Sequence, residues 1–169
     1  MSKRESENLR AILVQDVGDR LANVFVKKGF SLVPLPAEEA KSELKIAFPL
    51  GRLKRMRDDN LDVIEFQFDK YGRPKFVINF GIVPPGGVTL PWGDHLDQNV
   101  ADVSAISESY RLYSSSLRAR WFELGLLSPK NEQAITSLVD KAIVLSNEIT
   151  NWFECKNVGK HMKRFGLPV

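Results

Sequence analysis

Residues 61–83 carry two runs of apolar side chains with a period of two. Ile64, Phe66 and Phe68 alternate with Val63, Glu65 and Gln67; Phe76, Ile78, Phe80 and Ile82 alternate with Val77, Asn79 and Gly81. Successive residues of a strand point to opposite faces, so the pattern specifies a β-hairpin with one phenylalanine-rich face. Residues directly opposite in an antiparallel pair share a face. The register this implies sets Phe68 against Phe76, Phe66 against Ile78 and Ile64 against Phe80, with Gln67 against Val77 and Glu65 against Asn79 on the other side. Asp69 then sits beside Lys75, and residues 70–74 form the connecting loop with Gly72 free to take positive φ. A slip of one residue would turn three phenylalanines to water, so the register is strongly specified.

Elements on either side of the hairpin complete an α+β pattern. Leu9, Ile12, Leu13, Val17, Leu21, Val24 and Phe25 recur at steps of three and four, predicting a long amphipathic helix over residues 5–28. Ser2 with Glu5 fits a capping box, and Gly29 after Lys27 and Lys28 fits a stop. Residues 30–33 read as a short strand, residues 37–47 as a helix opened by Pro36, and residues 50–57 as a strand feeding the hairpin. Pro84-Pro85-Gly86-Gly87 ends the second hairpin strand, and residues 89–99 form a loop holding Trp92 and His95. Residues 106–113 return as a strand. A second long helix is expected from Ser128-Pro129 to Cys155, and a short one near residues 158–165. The expected architecture is a single α+β domain over residues 1–169. Its antiparallel meander of four or five strands packs one face on the long N- and C-terminal helices and leaves the opposite face wet, or covered by the 89–99 loop.

Composition excludes several functions. The 169 residues, 43% apolar and 27% charged, are ordinary for a water-soluble domain. The single cysteine, Cys155, rules out an internal disulfide and a thiolate metal cluster. The charged start MSKRESENLR and the lack of any long apolar run point to a cytoplasmic protein and away from a membrane partner. Net charge is only +3. The basic run Arg52, Lys54, Arg55 and Arg57 is followed at once by Asp58, Asp59 and Asp62, and a second run, Lys156, Lys160, Lys163 and Arg164, reads likewise as a solvated face, so nucleic acid is a weak expectation.

No catalytic template fits. Asp94, His95 and Asp97 supply too few convergent ligands for a metal, and His161 lies among cations. Cys155 is expected as a small buried side chain at a helix end, where a thiol gains no activation. Ser114-Ser115-Ser116 lacks a nucleophile elbow, and Pro84-Pro85-Gly86-Gly87 lacks the spacing and lysine of a phosphate loop. No catalytic residue, metal ligand or cofactor is assigned. The candidate binding residues are Glu65, Gln67 and Asn79 on the polar face of the hairpin, with Arg111, Arg118 and Trp121 expected near them, and Trp92 and His95 in the 89–99 loop.

Short motifs through the chain resemble a bacterial family known as domain of unknown function 4304. They are Val26-Lys27-Lys28-Gly29-Phe30, the hairpin from Gln67 to Gly81, Trp121-Phe122-Glu123-Leu124 and Asn151-Trp152-Phe153-Glu154. The resemblance implies a helix-flanked antiparallel sheet and brings no catalytic residues. Residues 34–57 look longer than the family's usual connection. The sequence therefore favours a non-catalytic, protein-binding domain of immunity or regulatory type. A small-molecule binder or enzyme using the polar sheet face is the alternative, and a nucleic-acid binder the third.

Overall fold

In the computed structural model, which describes residues 1–167, helices α1 (Lys3–Asp16) and α2 (Ala22–Val26) run on through a π turn at Val17–Leu21. The capping box forms as expected, with Glu5 N–H donating to Ser2 Oγ and Ser2 N–H to Glu5 Oε2. The π turn follows from the spacing of the buried residues. Leu9, Leu13, Val17, Leu21 and Phe25 recur every fourth residue, and all are buried. On an α-helix a four-residue step drifts about 40° around the axis. The wider π turn takes up part of that drift and keeps the stripe on the sheet.

The strands are β1 (Ser31–Val33), β2 (Arg52–Arg57), β3 (Asn60–Phe68), β4 (Lys75–Val83), β5 (Val88–Thr89), β6 (His95–Leu96), β7 (Ser109–Leu112), β8 (Phe122–Glu123) and β9 (Met162–Arg164). Seven of them make one antiparallel sheet in the order β1-β2-β3-β4-β7-β9, with β8 also on β4; β5 and β6 form a separate ribbon. The sheet is wider than the four or five strands expected. The β3–β4 register is the one read from the sequence, from Phe68 opposite Phe76 to Glu65 opposite Asn79. A two-residue turn joins β2 to β3, and Asp58 and Asp59 both have positive φ, as such a turn requires.

Ile64, Phe66, Phe68, Phe76, Ile78 and Phe80 pack on the N-terminal helices and on α5 (Glu132–Leu145) and α6 (Asn147–Cys155). Phe80 is central, its ring centroid 5.3 Å from that of Trp152 and 6.0 Å from that of Phe153. Burying each such aromatic contributes about 1.5–3 kcal/mol.

Several expectations are corrected. The helix over residues 37–47 is two single turns, α3 (Ala37–Ala40) and α4 (Leu44–Ala47). The C-terminal helix starts later, at Asn131, whose side chain accepts from Ala134 N–H, and it breaks at Ser146, whose hydroxyl donates to Ile143 O. Residues 158–165 hold strand β9 in place of a helix. The open edge of β7 binds that backbone, and Met162 is its one side chain in the core. Cys155 is exposed, because Trp152 and Phe153 take the inward face of α6.

The second sheet face is not wet. Leu61, Val63 and Val83 pack under Ala101, Val103 and Ile106, with Leu96 and Phe165 beside them. The cover is a loop and a 3₁₀ turn (Val103–Ala105) capped by Asp102, which accepts from Ala105 N–H. Gly81 permits this layer. A Cβ there would lie 2.9 Å from Ser109 Cβ and 3.0 Å from Glu108 O.

Candidate functional site

One polar row crosses the covered face. The register sets Lys163 opposite Arg111, Arg111 opposite Asn79, and Asn79 opposite Glu65. Arg52 of β2 continues it by donating from Nε to Glu65 Oε1 at 2.9 Å. Glu65 and Asn79 are only 3% and 1% exposed, and Arg52 is 4% exposed. Charges and amides buried this deeply need dedicated partners.

Those partners form two groups. In the first, Glu65 Oε1 also accepts from Val103 N–H at 3.2 Å, and Arg52 Nη2 donates to Glu39 Oε2 at 2.6 Å. Burial drives the Glu65 carboxyl above its ordinary pKa; Arg52 opposes the shift and Asp102 adds to it. In the second, Arg111 donates from Nε to Asn79 Oδ1 and from Nη2 to Gln67 Oε1, both at 2.7 Å. Asn79 Nδ2 donates to the same Gln67 oxygen at 3.0 Å. Because arginine only donates, Gln67 must turn its oxygen to this cluster, and its Nε2 is left over. The Arg111 guanidinium lies 4.0 Å from the Phe165 ring centroid and 6.0 Å from that of Trp121. That stacking fixes its plane.

The two groups line one cleft of about 300 Å³, formed by Arg52, Glu65, Gln67, Asn79 and Arg111 on the sheet. Leu44 and Phe48, Asp102 and Ser104, and Phe165 make its walls. Among the described residues no buried side-chain nitrogen or oxygen lacks a partner. Arg52 Nη1, Glu65 Oε2, Gln67 Nε2 and Arg111 Nη1 have no partner among the described residues and are therefore not fully sealed from solvent. On the sheet side of the cleft these atoms are three donors and one acceptor, and Asp102 and Ser104 add acceptor oxygens at the wall.

Of the candidate residues, Glu65, Gln67, Asn79 and Arg111 come together. Trp92 and His95 do not join them. Trp92 is 66% exposed and its indole N–H is bonded to Asp94, while His95 lies on the β5–β6 ribbon, its Nδ1 3.2 Å from Thr89 Oγ1. Among the described residues no group of three His, Cys, Asp or Glu side chains is placed to hold a metal. Reading the sequence missed Arg52, Glu39 and Phe165. Arg52 was within reach: running the hairpin register back through a two-residue turn at Asp58-Asp59 places it against Glu65.

Fold and cleft together define an antiparallel α+β domain with helices on one face and a covered polar groove on the other. A family profile described as Domain of unknown function (DUF4304) matches residues 52–155, and the chain belongs to that family. The matched span holds Arg52, Glu65, Gln67, Asn79 and Arg111; Glu39, Leu44, Phe48 and Phe165 lie outside it. Comparison with curated proteins and with solved structures returned no match. No helix among the described residues is long and apolar enough to cross a membrane.

Proposed function

We propose that this protein is a binding domain that holds a small polar molecule in the cleft over Glu65, Gln67, Asn79 and Arg111. One observation carries the reading. A polar row in which Arg52, Glu65 and Asn79 are buried crosses a sheet face that also carries the apolar cluster of Leu61, Val63 and Val83, and its unbonded atoms belong to residues lining a cavity of ligand size. Buried ion pairs add little net stability over apolar packing, so such a row is better explained by recognition than by folding. Among the described residues the cleft is lined by no histidine or cysteine, and its one hydroxyl, Ser104, donates to the Asp102 carboxylate that caps the 3₁₀ turn, a bond the cap itself accounts for. Thermal-shift screening of the full chain against a panel of metabolites tests it. A compound of the panel is expected to raise Tm of the wild type and not of Gln67→Glu. Equal effects on both proteins, or none across the panel, would contradict the reading.

Protein binding remains a second reading, with a different support from the wet sheet face first expected. Leu117, Leu126 and Leu127 stand almost wholly in solvent on the segment between β7 and α5. Replacing Leu126 and Leu127 by serine is expected to abolish binding of a protein partner and to leave ligand binding in the cleft unchanged. Nucleic-acid binding gains no support from the basic run, since Arg52, Arg55 and Arg57 are each paired with a carboxylate.

A further inference from the structure

Resting on that reading, we propose that the cleft takes a small amphoteric acid, with its carboxylate at Arg111 and Gln67 and a donor group, ammonium or hydroxyl, at Glu65. Charge is left uncompensated at each end of the cleft. Arg111 forms no ion pair among the described residues; its bonds go to two neutral amide oxygens. Its terminal edge keeps Nη1 and the second Nη2 hydrogen, a fork matched to the two oxygens of a carboxylate. Phe165 stacked on its plane stops the fork from rotating away. Gln67 Nε2, its orientation forced by the bonds its oxygen accepts, adds a third donor beside this edge.

The other end has the opposite sign. Arg52 is shared between Glu39 and Glu65, two carboxylates for one guanidinium. Glu65 Oε1 is fully used by Arg52 and by Val103 N–H, while Oε2 accepts no bond among the described residues. With the Asp102 carboxylate on the wall beside it, that oxygen gives this end of the cleft its acceptors, and they call for a donor on the ligand. Neutral sugars or apolar rings would leave the Arg111 charge unmatched, and a simple acid would leave Glu65 unmatched.

Spacing sets the size. Glu65 and Arg111 face each other across Asn79, two strand spacings or about 10 Å between Cα atoms. Both side chains rise from the same face, which leaves room for a few bonds between acid and donor. At about 30 Å³ per water, a cleft of this volume holds on the order of ten non-hydrogen atoms. α-Amino acids and short hydroxy acids meet both limits.

The test is an NMR titration of the ¹⁵N-labelled full chain. Its probes are the twenty protein amino acids, lactate and malate; acetate, propionate and methylamine as half-matched controls; and adenosine, glucose and inorganic phosphate as unrelated ones. An amphoteric acid is expected to shift the Arg111 Nε–H, Gln67 side-chain amide and Val103 amide signals. It should bind at least tenfold more tightly than acetate or methylamine. Gln67→Glu keeps both acceptor contacts and the fold, but neutralises Arg111 and removes the open donor; it should weaken binding at least tenfold. Glu65→Gln keeps an oxygen for Arg52 and Val103 and turns the open acceptor into a donor, so it should erase the advantage over propionate. Shifts caused only by adenosine, glucose or phosphate would overturn the assignment of ligand class while the cleft remained a binding site. An amphoteric acid bound no better than propionate would overturn the role given to Glu65. No shift with any probe would remove both this assignment and the binding reading beneath it.

Discussion

Replacing Arg52 and Glu65, singly and together, separates recognition from stability. Glu65→Leu leaves the Arg52 guanidinium buried with one carboxylate, Glu39, still 2.6 Å away. Breaking a buried pair costs about 3–5 kcal/mol, and the surviving contact puts this change at the low end. Orphaning the Val103 N–H, which lost its acceptor, adds about 1 kcal/mol more. Arg52→Met leaves Glu65 without its cation. The carboxyl, already raised by burial, can escape by taking up a proton, so this variant should cost about 2 kcal/mol at pH 7 and less at pH 5. The singles then sum to about 6 kcal/mol. In Arg52→Met/Glu65→Leu no charge is stranded, and apolar packing offsets the orphaned amide. The double variant should lie within about 2 kcal/mol of wild type, a coupling of at least 3 kcal/mol. Urea unfolding followed by tryptophan fluorescence measures all four proteins, since Trp152 is buried in the core. Additive single effects would refute the view that the row is dispensable for folding.

Three further outcomes follow from particular contacts. Phe80→Ala should cost about 3–5 kcal/mol in the same assay, because Phe80 is fully buried among Tyr110, Trp152 and Phe153. Replacing Asp58-Asp59 by Asn-Gly should stabilise the protein by about 0.5–1 kcal/mol, because both positions hold positive φ; a loss of stability would contradict the turn. Burial alone would raise the Asp69 carboxyl, yet hydrogen bonds from the Arg73 side chain and the Arg73 and Tyr71 amides bring it below its ordinary value. A lowered native pKa stabilises above the unfolded pKa of about 3.9 and is lost as pH falls through the native value. Asp69→Asn should therefore cost about 1–2 kcal/mol at pH 7, with the gap to wild type closing below pH 4. Glu65 has the opposite sign, its contribution falling as pH rises from the ordinary glutamate value through its raised one.

The hairpin, its register and its helix-packed face were legible because each rests on a local period that burial enforces. The N-terminal helix and its capping box were legible for the same reason. The covered face was not, since its cover is a loop with one 3₁₀ turn, and its buried Ala101, Val103 and Ile106 follow neither helix nor strand spacing. Val63 and Val77, apolar on a face otherwise read as polar, were the available hint. Strand β9 was missed because the exposed β7 edge, a tertiary partner, decides it. Three site residues were legible on the hairpin as one facing cluster, and Arg111 joined them as a neighbour. Arg52 needed a turn whose length was not fixed, and Phe165 reaches Arg111 from just beyond β9, a strand that its tertiary partner β7 decides.

The central claim is that the polar row exists to hold a small molecule, and equilibrium dialysis against a cellular metabolite extract tests it most directly. Wild type and Gln67→Glu, of matched Tm, are dialysed side by side and the retained compounds identified by mass spectrometry. The account predicts a low-mass acid enriched by the wild type and absent from the variant. Equal enrichment by both proteins, or none by either, would contradict it.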